Sequence, residues 1–145
     1  MEAVKEGADE LDIVMNLGLL KKSKWDEVKK EISDIVIATP RVIHKVIIET
    51  CYLTDDEKKR ACEIIIESGA EFVKTSTGYG VSGVKVRDIK LIKSIVGDKL
   101  KIKASGCIKT LNKAFSLIKV GTNTIGTSSG VEIMEEFIKG IKSLS

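Results

Sequence analysis

A short pattern of helix end, glycine and strand occurs three times in this chain and constrains its fold more than any other feature. The glycines are Gly7, Gly69 and Gly121, and each lies between a segment with helical spacing and a short strand-like run. Glycine directly after a helix adopts the left-handed conformation that ends many helices, because it has no Cβ to clash. The repeat therefore predicts helices and strands in alternation.

Other signals complete this alternation. Apolar residues after Ser23 recur on one helical face and stop before Pro40, and Thr54 with Glu57 forms a capping-box pattern that opens a further helix. Gly97 closes another helix. Together the patterns predict strands that end at Asp12 and that span 42–49, 72–75, 100–104 and 123–126, and helices at about 24–38, 55–68, 89–96, 111–119 and 128–143.

Strands that alternate with helices favour βαβ units and a parallel sheet. Apolar residues make up 43% of the chain and aromatic residues only 4%, so Ile, Val and Leu carry the core, as is typical of parallel strands. With 145 residues the length favours an open sheet of five units, since a complete eight-unit barrel takes about 250 residues. Residues 2–7 resemble the last turns of a helix with no strand before it, so we expect earlier units to be absent.

The composition also bounds the class of protein. No uncharged apolar run reaches the roughly 18 residues of a membrane span, and the start lacks a secretory leader pattern, so we expect a cytoplasmic chain without a membrane partner. The cysteines Cys51, Cys62 and Cys107 have no zinc-ribbon spacing, which predicts reduced thiols and no metal site.

Charge is distributed unevenly along the chain. Residues 1–72 hold 11 Lys and Arg against 16 Asp and Glu, whereas residues 73–145 hold 13 against 5. The basic half predicts an anionic ligand. Its lysines are scattered and not interleaved with aromatic residues, so a small phosphorylated ligand is favoured over nucleic acid.

The predicted strand ends carry residues able to do chemistry. In parallel α/β folds ligands bind at the carboxyl ends of the strands, which here are Asp12, Glu49, Lys74, Lys103 and Gly126. Lysines that share one site repel each other, which favours the uncharged amine that attacks carbonyl groups. Asp12 would then transfer protons. The alternative is that both lysines extend to solvent.

Two glycine-rich segments suggest anion binding. Residues 126–130 follow the last strand and open the last helix, where backbone N–H groups and hydroxyls form either a phosphate cradle or a simple helix cap. Residues 78–83 match G-x-G-x-x-G, a dinucleotide-binding pattern. That pattern requires an acidic residue about 20 positions later, where this chain has Lys103.

Five ordered motifs together resemble the deoxyribose-phosphate aldolase family. They are ELDIVMN at 10–16, KVIIET at 45–50, FVKTSTG at 72–78, KIKASG at 101–106 and IGTSSG at 125–130. The resemblance covers essentially the whole chain but only about the fourth to eighth strands of the family's barrel. It implies a partial TIM (β/α)8 barrel, with residues 1–145 forming a single domain that lacks the N-terminal part.

The resemblance also implies an activity and a site. The family cleaves 2-deoxy-D-ribose 5-phosphate reversibly to acetaldehyde and D-glyceraldehyde 3-phosphate by Schiff-base chemistry, without metal or cofactor. A homo-oligomer is one expected assembly of this chain. By motif match Lys74 would form the Schiff base, Lys103 would be the neighbouring cation and Asp12 the acid–base partner. The residues expected to bind phosphate and substrate are Thr75, Gly78, Gly106, Gly126, Ser128 and Ser129.

Three positions depart from the family's usual residues. Cys107 replaces a glycine, Lys109 an arginine and Thr124 another arginine, which we expect to weaken phosphate binding more than Schiff-base chemistry. Two alternatives remain at this point, an inactive truncated barrel and a dinucleotide-binding domain that uses residues 78–83.

Overall fold

The computed structural model, which describes residues 2–142, contains one five-stranded sheet. All its strand pairs are parallel, and the order of the strands in space follows their order in the chain. Neighbouring strands of a (β/α)8 barrel have this sequential order. In a doubly wound sheet the order of the strands reverses at a point within the sheet. The strands are β1 (Glu10–Val14), β2 (Ile43–Ile47), β3 (Phe72–Lys74), β4 (Lys101–Ser105) and β5 (Thr124–Gly126).

Helices follow each strand. A 3-10 turn at Thr50–Tyr52 comes before the helix that follows β2. None of the helices in the described part of the chain is long and apolar enough to cross a membrane. The helices are α1 (Glu2–Lys5), α2 (Leu17–Lys21), α3 (Trp25–Ala38), α4 (Asp55–Ser68), α5 (Val86–Val96), α6 (Leu111–Ile118) and α7 (Gly130–Lys142).

The core lies between one face of the sheet and the helices. Val46, Val73 and Ile102 are in register on β2, β3 and β4, and all three are fully buried. Ile65 of α4 and Ile89 of α5 belong to the same buried cluster. Because side chains alternate along a strand, the residues next to these in sequence point to the opposite face.

That opposite face carries charged side chains. Asp12 is in register with Lys45, and Lys74 is in register with Lys103, so all four lie on this face. In the described residues the helices cover the face with Val46, Val73 and Ile102. On the charged face Val14 is 57% exposed. The fold thus presents an open, charged sheet face.

The predicted alternation of elements is confirmed, with corrections at several boundaries. β1 continues past Asp12 to Val14, and β4 extends to Ser105. β2 ends at Ile47, before the predicted position 49, because Glu49 turns into the left-handed region with φ of 45°. The last helix begins at Gly130, and the predicted end at residue 143 lies outside the described residues.

The sequence patterns missed α2. This helix has only five residues, too few for an apolar period to be visible, and the Asn16 side chain caps it by accepting a hydrogen bond from the Leu19 amide. The capping box of α4 is confirmed, since Thr54 Oγ1 accepts from the Glu57 amide at 3.2 Å and Glu57 accepts from the Thr54 amide at 2.8 Å.

Substitution of the α4 cap tests this local reading. Thr54→Ala leaves the Glu57 amide without its side-chain acceptor and is expected to lower the free energy of unfolding by about 1 kcal/mol. Thr54→Ser keeps the hydroxyl and should cost far less. Urea denaturation of the three proteins checks the prediction, and equal loss for Ala and Ser would contradict it.

Candidate active site

Three lysines surround one carboxylate on the open face of the sheet. Lys74 Nζ donates to Asp12 Oδ2 at 2.8 Å, and Lys103 Nζ lies 3.6 Å from the same oxygen. Lys45 Nζ lies 3.9 Å from Asp12 Oδ1 and also pairs with Glu10. The predicted trio of Asp12, Lys74 and Lys103 is therefore brought together.

The strand register explains how these distant residues meet. Lys74 and Lys103 are direct neighbours on β3 and β4. Asp12 is on β1, two strand spacings or roughly 10 Å from β3, and its carboxylate meets the long Lys74 side chain above β2. The Lys74 side chain is only 12% exposed and that of Lys103 18%. A charged side chain with little exposure is favoured by a nearby anion, which Asp12 supplies.

The lysines determine the protonation state of Asp12. Burial raises the pKa of this carboxyl, but the hydrogen bond from Lys74 and the charges of Lys74, Lys103 and Lys45 outweigh burial and hold the pKa below its ordinary value of 3.8. Asp12 is therefore a carboxylate at neutral pH. In this form it is able to accept a proton.

A cavity of about 510 Å³ opens beside the two lysines. Its wall consists of strand ends and of the loops that follow β3, β4 and β5. The cavity lining carries cationic, hydroxyl and backbone groups without a carboxylate, which suits an anionic ligand. The lining residues are Lys74, Thr77, Gly78, Tyr79, Lys103, Ser105, Gly106, Cys107, Ile108, Lys109, Gly126, Thr127 and Ser128.

Gly126 at the end of β5 leaves space for the Lys103 side chain beside the cavity. A Cβ at this position would lie 3.1 Å from the Ser105 Cβ and 3.4 Å from the Lys103 Cε. Any larger residue would therefore press against the lysine stem. The predicted site residues Gly78, Gly106, Gly126 and Ser128 all line the cavity together with the two lysines.

Besides Asp12, two predicted site residues do not line the cavity. Thr75 is fully buried, and its hydroxyl joins β3 to β4 by donating to the Ser105 carbonyl and accepting from the Ser105 amide. The Ser129 amide donates to Thr127 Oγ1 at 2.9 Å, which leaves one fewer free N–H group in the expected cradle. Both residues therefore hold the backbone of the cavity lining in place by hydrogen bonds without lining the cavity themselves.

The three unusual positions differ in their placement. Cys107 lines the cavity at φ 56°, directly after Gly106 at φ 90°, so the cysteine adopts the left-handed conformation that its Cβ disfavours. Lys109 also lines the cavity, where it keeps a positive charge. Thr124 lies on β5, in register with Lys103, and is exposed.

Some cavity residues had no signal in the sequence that singled them out. Tyr79 is almost fully exposed, Ile108 is buried, and Thr127 connects two loops by donating to the Ile108 carbonyl. They belong to loops whose course depends on contacts between strands. Lys45 had a detectable signal, since a lysine within an apolar strand is rare unless it is paired.

The sheet order and the lysine–carboxylate cluster at the open face define the chain as a segment of a (β/α)8-barrel protein with an enzyme-like site. A profile of the DeoC/LacD family aldolases matches residues 1–136. The chain belongs to this aldolase family.

Individual relatives agree with the family assignment. Deoxyribose-phosphate aldolase of Thermoanaerobacter pseudethanolicus is 49% identical over 142 residues, which cover 96% of this chain and 64% of the relative. The enzyme of the same name from Dictyoglomus turgidum is 54% identical over 133 residues, covering 92% of this chain and 61% of the relative. The chain thus spans a little under two thirds of the length of these relatives.

Solved structures show the same relation. The aldolase QR15 superposes with a TM-score of 0.95 at 49% identity, over 99% of this chain and 65% of that one. The tetrameric deoxyribose phosphate aldolase of Aeropyrum pernix gives a TM-score of 0.84 at 32% identity, over 97% of this chain and 58% of that one. The partial TIM barrel predicted from the sequence is confirmed.

The pH dependence of stability tests the role of Asp12. Because the folded-state pKa is lowered, the stabilising charge is fully present above about pH 4 and is lost as the pH falls through the lowered pKa. Wild type should therefore be more stable than Asp12→Asn near pH 6, and this difference should shrink in acid. Urea unfolding at several pH values measures it. A difference that does not vary with pH would contradict the assignment.

Proposed function

We propose that this chain carries a lysine-based aldolase site that reversibly cleaves 2-deoxy-D-ribose 5-phosphate to acetaldehyde and D-glyceraldehyde 3-phosphate. The observation that carries the proposal is the hydrogen bond of 2.8 Å from Lys74 to Asp12. Lys103 Nζ lies 3.6 Å from the same carboxylate oxygen, and both lysines line the cavity. Relatives that share about half of their residues with this chain are deoxyribose-phosphate aldolases.

In the proposed reaction the uncharged Lys74 amine attacks the C1 aldehyde of the open-chain sugar, and water leaves to give a protonated imine. Removal of the C3 hydroxyl proton then breaks the C2–C3 bond, whose electrons pass to the iminium nitrogen. D-Glyceraldehyde 3-phosphate departs and leaves an enamine. Protonation at C2 followed by hydrolysis releases acetaldehyde and regenerates the lysine.

Asp12 and Lys103 have complementary parts in this cycle. Asp12, which is within hydrogen-bond distance of the Lys74 nitrogen, accepts and returns protons there. When Lys74 loses its proton, Lys103 remains 3.6 Å from Asp12, so the carboxylate does not lose its charge partner.

The substrate phosphate is assigned to the same cavity. Lys109 supplies a charge there, and Gly106, Gly126 and Ser128 supply backbone and hydroxyl groups. Thr75 and Ser129 act indirectly in this proposal, by fixing the backbone. We also place the chain in the cytoplasm and infer a homo-oligomer, by analogy with the tetrameric relative.

A second candidate is a barrel segment without catalysis. The observation that favours it is the sheet itself, because within the described residues β1 and β5 each pair on one side only. Open edges promote association of chains. On this reading the charged cluster exists, but no closed barrel surrounds it.

Steady-state kinetics distinguish the candidates. Arginine keeps the positive charge but cannot act as an amine nucleophile, so Lys74→Arg is expected to lower kcat by more than about 10³-fold. The control is Lys90→Arg at an exposed position of α5, with activity expected within about twofold of wild type. Absence of cleavage by monodisperse wild-type protein would favour the non-catalytic segment.

A further inference from the structure

Glu49 is a buried acidic residue that the proposed reaction does not use. It follows β2 by two residues and is 4% exposed, and in the described part of the chain no lysine, arginine or histidine forms an ion pair with it. Its backbone has φ of 45°. A buried carboxyl group without a cationic partner and a left-handed non-glycine residue are both unfavourable, and they persist only where the surroundings impose them.

The carboxylate of Glu49 holds the beginning of the loop after β3. Its Oε2 accepts from the Thr77 amide at 3.0 Å and also from the Thr77 hydroxyl. Thr77 Oγ1 in turn accepts from the Tyr79 amide at 3.1 Å. A chain of hydrogen bonds therefore runs from Glu49 through Thr77 to Tyr79, and the latter two residues line the cavity.

The glycines of the 78–83 motif fit this loop against two strand ends. A Cβ at Gly80 would lie 2.9 Å from Glu49 Oε1 and 2.7 Å from Cys51 Sγ, and one at Gly83 would lie 2.2 Å from the Gly106 carbonyl oxygen. Residues 77–83, the strap, thus pass from Glu49 beyond β2 to Gly106 beyond β4. Close contact with protein explains Gly80 and Gly83 without a dinucleotide.

We propose that Glu49 is a positioning residue for the active site. By holding Thr77 it fixes the strap as one wall of the cavity, next to the two lysines, and so determines affinity for the phosphorylated substrate. The lysine cluster lies on the strands and does not depend on the strap. This inference rests on the proposed function, in that it takes the cavity as the binding site for that substrate.

The test measures the strap and the cavity separately. In Glu49→Gln we expect amide hydrogen exchange at Thr77 and Tyr79 to rise about tenfold, with exchange at Val73 in β3 unchanged. We expect the Kd for inorganic phosphate, the probe, to rise about tenfold by calorimetry. The matched control Glu27→Gln replaces an exposed glutamate on α3 and should change neither quantity.

A second pair of variants covers the case in which Glu49→Gln does not fold. Thr77→Val removes the hydroxyl and should weaken phosphate binding, whereas Thr77→Ser retains it and should restore the affinity. Unchanged exchange in the strap would overturn the proposal. So would equal phosphate affinity across the variants, including absence of phosphate binding by wild type. Imine formation at Lys74 is measured independently with acetaldehyde, so failure of the lysine chemistry is distinguishable.

Discussion

Compensation of two neighbouring ammonium groups by one carboxylate is the interaction on which this site depends. Parallel pairing places Lys74 beside Lys103 on the open face of the sheet, and the ammonium groups of two such neighbouring lysines repel each other. Asp12 reaches both from β1, which lies two strands from β3 and three strands from β4. The same sheet order therefore assembles the charges and connects β1 with β3 and β4 through one cluster.

The reactive lysines and the cavity wall are held in place by different parts of the structure. The lysines project from strands whose opposite face packs against helices, so their positions follow from the core. The cavity wall consists of loops held by specific hydrogen bonds, such as those from Thr77 to Glu49 and from Thr127 to Ile108. Sites on regular elements are the more rigid of the two. Affinity is therefore the property most sensitive to loop residues such as Cys107.

Periodicity and capping residues predicted most of the fold. The helices after Ser23 and Thr54 and the five strands were all expected, because apolar spacing and local caps act within a few residues. The lysine–carboxylate trio was also predictable, since charged residues in apolar strands are unusual. The resemblance to a known family then supplied their expected roles, which spacing alone had left open.

What the sequence did not predict depends on contacts between distant segments. The early end of β2 follows from the left-handed Glu49, whose carboxylate meets Thr77 in another loop. The placement of Thr75 and Ser129 outside the cavity wall follows from hydrogen bonds to Ser105 and Thr127. Neither kind of contact leaves a periodic pattern, and G-x-G-x-x-G spacing does not distinguish a nucleotide loop from one packed on protein.

Acetaldehyde trapping tests the central claim most directly. The protein is incubated with acetaldehyde, reduced with borohydride and digested, and ethylated lysines are located by peptide mass spectrometry. The account predicts one dominant adduct at Lys74, which Asp12→Asn should reduce. Labelling spread evenly over the exposed lysines, or absence of an adduct in folded protein, would contradict it.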